Sequence, residues 1–133
     1  MITLKTMGLA FVGLHLSLIA VCAQDSAASH SAALGYPSAA AALEGLKKKP
    51  GVTISVQGGW TIAADRSTNT VWSFTPPGHP AHPSVVRRTV VEKDGSIHVR
   101  TNVLCKAAKP TCDKLAADFN QLNNRMRDSI KRN

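Results

Sequence analysis

The dipeptide Asp94-Gly95 constrains the fold of this chain more than any other feature. It separates two stretches of strand character, Val85–Lys93 and Ser96–Lys106. Asp-Gly between two such stretches specifies a two-residue hairpin turn, because both residues tolerate positive φ. An antiparallel pair is therefore expected here, and the rest of the chain must pack on it. Side chains alternate along a strand. Ile97, Val99, Val103 and Cys105 thus share one face, and His98, Arg100, Asn102 and Lys106 share the other. Cys105 is expected to point inward, His98 and Arg100 outward.

The same alternation marks Val52, Ile54 and Val56, and resumes at Trp60, Ile62 and Ala64 after Gly58-Gly59, which reads as a turn or a bulge. Thr70–Thr75 is a further strand with Trp72 and Phe74 on one face, a spacing that suits core more than a ligand platform. Two helices flank these strands. Ser38 is the expected N-cap of Ala39–Lys48, whose Ala39, Leu43 and Leu46 fall on one side. Lys47, Lys48 and Lys49 close it, where cations suit the helix dipole, and Pro50-Gly51 stops it. Thr111 is the expected N-cap of a last helix bearing the stripe Leu115, Phe119, Leu122 and Met126, with Asp113 in its first turn. The expected fold is α+β: an antiparallel sheet of about four strands with an N-terminal and a C-terminal helix on one face.

Residues 1–23 carry Lys5, an apolar run from Met7 to Val21, and Val21-Cys22-Ala23, the layout of a secretory signal peptide too short for a comfortable membrane span. Residues 24–35 are Ala/Ser-rich and read as a flexible tether, which leaves 36–133 as a single small domain with no transmembrane segment. Of three cysteines, Cys22 leaves with the signal peptide. Cys105 and Cys112 remain, one on an inward strand position and one at the start of the last helix, and are expected to form a disulfide in an oxidising compartment. Val21 departs from a lipobox at the position usually held by a small residue, so lipid anchoring at Cys22 is the lesser alternative. The formal charge of +8 suits an anionic partner or plain solubility. For an exported chain that partner is an anionic lipid, lipopolysaccharide or an acidic protein surface rather than nucleic acid.

Pro76-Pro77-Gly78-His79-Pro80-Ala81-His82-Pro83 cannot be regular structure, since four of its eight residues lack a donor and fix φ. A stiff loop loses little entropy on binding. Pro76, Pro77, His79, Pro80, His82 and Pro83 are therefore the candidate binding loop. His79 and His82 are also weak candidates for metal ligation, short of the three or four ligands a site needs. Arg87 and Arg88 adjoin the loop and, with His98 and Arg100, form a candidate basic face; one of the two adjacent arginines must turn inward, where Asp65, Glu92 or Asp118 are available as partners. There is no G-x-S-x-G, H-E-x-x-H or Gly-rich phosphate loop, and the carboxylates are scattered, so no catalytic residue and no cofactor is assigned.

The block Trp72-Ser73-Phe74-Thr75-Pro76-Pro77-Gly78-His79-Pro80-Ala81-His82-Pro83-Ser84-Val85-Val86-Arg87-Arg88 resembles one found in small exported proteobacterial proteins of unknown function. The resemblance implies a bacterial source and export, and brings no activity with it. The expectation is a periplasmic or secreted binding protein that engages a protein or an anionic envelope component through the Pro-His loop and the basic strand face. The alternatives are histidine-based metal binding and a small envelope hydrolase.

Overall fold

In a computed structural model the structure describes residues 33–132. The expected signal peptide, Cys22 and residues 24–32 lie outside them. The described chain is α+β, in the order helix, five strands, helix. Helix α1 spans Ala39–Lys47; strands β1 to β5 span Val52–Gln57, Trp60–Asp65, Thr70–Phe74, Ser84–Lys93 and Ser96–Cys105; helix α2 spans Lys109–Arg132. The strands form one antiparallel meander in sequence order. No helix among the described residues is long and apolar enough to cross a membrane.

The fifth strand comes from Gly58-Gly59. Both glycines hold positive φ, 57° and 82°, and Gln57 pairs with Trp60, so the pair closes a two-residue hairpin instead of bulging one long strand. Asp94 and Gly95, at 53° and 71°, do the same between Lys93 and Ser96. The helix starts follow different rules. Ser38 caps α1, its Oγ accepting from Ala41 N–H at 3.1 Å. Helix α2 begins three residues earlier than the Thr111 cap predicts: the Ala108 carbonyl accepts from Thr111 N–H and Cys112 N–H at 3.0 and 3.1 Å. Asp113 then stands one turn inside, paired with Lys109 at 2.6 Å.

The two helices do not share a face. Leu46 and Ala42 of α1 pack with Leu34, Ala63, Trp72, Phe74, Val85 and Leu104. Leu115 and Phe119 of α2 pack with Ala81 and Val86, joined by Trp60, Val103, Cys105 and Leu122. Val85 and Val86 are neighbours on β4 and must point oppositely, so the helices cover opposite sides of the sheet. The signal for this lies in β3 and β4, where Trp72-Ser73-Phe74 and Ser84-Val85-Val86 are buried without alternation, as in a strand covered on both sides. Leu34, within the expected tether, is 2% exposed and belongs to the α1-side core.

The disulfide joins Cys105, the last residue of β5, to Cys112 in the first turn of α2. It fixes the end of the sheet to the start of the helix that covers it.

Candidate functional site

The Pro-His loop connects β3 to β4 and is held from within. Thr75 N–H donates to the Ser84 carbonyl at 3.1 Å, and Thr75 Oγ1 accepts from Ser84 N–H at 2.9 Å while donating to the Ser84 carbonyl at 3.2 Å. His79 N–H donates to the Pro76 carbonyl and His82 N–H to the His79 carbonyl, both at 2.9 Å. Ser84 Oγ donates to the Ala81 carbonyl. Each imidazole has an internal partner: His79 Nδ1 accepts from Ala81 N–H at 3.0 Å, and His82 Nδ1 meets the Thr75 carbonyl at 2.9 Å. The first contact requires the proton of a neutral His79 on Nε2; the second requires it on Nδ1 of His82. The His79 ring also meets Trp60 edge to face at 5.2 Å, and Ala81 is fully buried in the α2-side core. Pro77, Pro80, His82 and Pro83 are exposed, and Pro76 is half-buried. Among the described residues no three His, Cys, Asp or Glu side chains cluster to hold a metal.

Because Thr75 Oγ1 satisfies a buried N–H, Thr75→Val leaves Ser84 N–H without its partner. The expected cost is about 1–3 kcal/mol, read as a lower urea midpoint at unchanged slope.

The four basic residues do not form one face. Arg87 pairs with Trp72 and Asn102, and Thr89 pairs with Arg100, so Arg87, Arg100 and His98 lie on the α1 side; Arg88 alternates to the α2 side. Nor do they adjoin the loop. Along a strand rising about 3.4 Å per residue, Arg87 is about 14 Å from Pro83, and the position opposite His98 about 27 Å. The loop and the basic residues are thus two separate surfaces.

Neither arginine finds a carboxylate among the described residues. Arg87 lies over Trp72, 5.4 Å from the ring centroid, and its Nη2 donates to Asn102 Oδ1 at 3.0 Å and to the Ala33 carbonyl at 2.6 Å. Arg88 lies over Phe119 at 5.2 Å, with long contacts from Nη1 to Asn123 Oδ1 at 3.5 Å and to Met126 Sδ at 3.8 Å. Both Nε atoms are buried, with no hydrogen-bond partner among the described residues. Burial pulls both pKa values down, and for Arg87 the nearby Arg100 charge adds to it.

Arg87 is one wall of a pocket of about 210 Å³ on the α1 side, lined also by Tyr36, Lys49, Asp65, Thr70, Trp72 and Thr89. Ligand sites for drug-sized molecules run about 300–1,000 Å³, so this one has room only for a small group. Tyr36 meets Trp72 edge to face at 5.7 Å. It reaches that position because residue 45 is glycine: a Cβ there would stand 2.6 Å from Tyr36 Cε1. Thr70 and Thr89 face each other across β3 and β4, their Oγ1 atoms 3.0 Å apart. The carboxylate in the pocket is already occupied. Asp65, 2% exposed, accepts from Lys49 Nζ at 2.6 Å, from Ser67 Oγ at 2.6 Å and from Ser67 N–H at 3.1 Å. Lys49, expected as a helix-terminal cation, therefore neutralises Asp65, and the net charge left at the pocket is that of Arg87 and its neighbour Arg100. Position alone hides this site from sequence reasoning, because its lining residues come from three separated segments.

The Lys49 hydrogen bond, then those from Ser67, hold the Asp65 carboxyl far below its ordinary value of 3.8. A lowered acid stabilises the fold in full above its unfolded pKa, and that contribution falls away as pH drops below about 3.8 toward the folded value. Asp65→Asn is expected to lower the melting temperature at neutral pH and to flatten its decline below pH 4. Melting curves of both proteins from about pH 2 to pH 7 check this.

The fold and site define a small disulfide-stapled antiparallel meander, covered by a helix on each side, with a cationic pocket under α1. This chain matches no protein-family model, no curated protein and no solved structure.

Proposed function

We propose that this is an exported protein that works by binding, and that it takes an anionic oxygen group, phosphate or carboxylate, of an envelope component into the pocket beside Arg87. The observation that carries the reading is Arg87 itself: a guanidinium placed over the Trp72 ring, partly desolvated, with no carboxylate partner among the described residues and one buried N–H without an acceptor. A buried charge normally carries a partner, because an unpaired one costs stability. An incoming oxyanion supplies that partner through the charge-assisted geometry that guanidinium favours. Thr89 and Tyr36 line the pocket beside it and bring no charge that would oppose an anion. Export fits the disulfide, which persists in oxidising compartments. The Pro76–Pro83 loop, held by its own hydrogen bonds, serves in this reading as a structural closure of β3 and β4.

Amide chemical-shift titration with inorganic phosphate, and separately with glucuronate, tests the reading and separates the two chemistries. Saturable shifts centred on residues 36, 70, 87 and 89 are expected with at least one of them. Shifts spread evenly over the surface cations, or none, would remove the pocket from consideration.

A further inference from the structure

A second surface stands on the opposite side of the sheet, at the far end of α2. The apolar stripe of α2 begins in the core with Leu115 and Phe119 and continues at the same angular position to Met126 and Ile130, which are 48% and 71% exposed. Beside it, on the same face of the sheet, Val90 and Ile97 near the hairpin tip are 45% and 58% exposed. The far end of the helix thus keeps its apolar side chains exposed.

Charge along the helix indicates what covers it. In the first half, cations are neutralised within the helix: Lys109 pairs with Asp113 at 2.6 Å and Lys114 with Asp118 at 2.7 Å. Residues 125–132 hold Arg125, Arg127, Lys131 and Arg132 against the single Asp128. All are exposed, and none of these cations makes an ion pair among the described residues. At about 100° per residue, Arg125 and Arg127 flank Met126 to either side, whereas Asp128 falls on the far side. An apolar stripe rimmed by cations is the pattern of a helix lying in the interface of an anionic bilayer. A second copy of this chain would set the same four cations against each other, which disfavours self-association.

We infer that the C-terminal half of α2, with the hairpin tip, docks the protein on an anionic membrane surface, burying Ile97, Met126 and Ile130 at the headgroup boundary. The docking face lies across the sheet from the pocket and does not rest on the pocket's function.

The test is flotation of the mature protein with phosphatidylcholine vesicles, with and without one-quarter phosphatidylglycerol. Partition onto the anionic vesicles only, weakened by added salt, is expected. The double variant Ile97→Asn/Ile130→Asn should reduce partition by about tenfold while keeping the wild-type circular dichroism and melting temperature, since both side chains are exposed. The triple variant Arg125→Gln/Arg127→Gln/Lys131→Gln should lose the preference for anionic lipid. Failure to float with anionic vesicles, partition unaffected by the double variant, or a concentration-dependent dimer abolished by it would each overturn the inference, the last in favour of a second copy.

Discussion

Trp72→Ala is expected to destabilise the protein by about 3–5 kcal/mol, the range for truncating a buried aromatic side chain. Small domains are stable by only about 5–15 kcal/mol in total, so this substitution alone approaches the limit of folding. Trp72 is 6% exposed and sits at the centre of the α1-side core. Its ring supports Tyr36 on one edge and Arg87 on its face. Removing it opens a cavity beneath α1 and withdraws a wall of the pocket, so urea denaturation should show a strongly lowered midpoint. A loss below about 1 kcal/mol would mean that α1 is not held by this core.

Reduction of Cys105–Cys112 is the second large effect. The bond closes a short loop, with a sequence separation of 7, for which chain entropy gives about 2–3 kcal/mol. In a domain of this size that corresponds to a melting temperature lower by roughly 10 °C or more. Because the bond ties β5 to the first turn of α2, protection from amide exchange should fall first in α2 and along β5, and persist on the α1 side. An unchanged melting curve in reductant would contradict the role given to this staple. Cys105→Ala/Cys112→Ala should reproduce the reduced protein without added thiol.

Elements defined by local chemistry were legible in the sequence. Asp94-Gly95 announces its hairpin, Ser38 its cap, and the parity of Cys105 together with the start of α2 its disulfide. What the sequence does not carry is the choice between solutions of equal local merit. Gly58-Gly59 suits a bulge or a turn, and only the pairing of β1 with β2 decides. An amphipathic helix is equally served by either side of a sheet; the paired apolar residues of β3 and β4 were the clue that both sides are covered. Arg87 and Arg88 look like one basic motif because they adjoin in sequence, yet alternation sends them to opposite cores. The pocket was invisible for a related reason. Lys49, Asp65 and Thr89 each have a sufficient local explanation, and their convergence exists only once five strands are in register.

The proposed binding role requires that Arg87 be kept for a ligand and not for the fold. The most direct measurement is the melting temperature and the anion affinity of Arg87→Met, set against wild type. Methionine fills similar volume and removes an unpaired, partly desolvated charge, a replacement that is often neutral or stabilising. The expected result is a melting temperature equal to or above that of wild type together with loss of saturable binding of phosphate or glucuronate. A protein that melts much lower, or one that binds the anion as before, would contradict it.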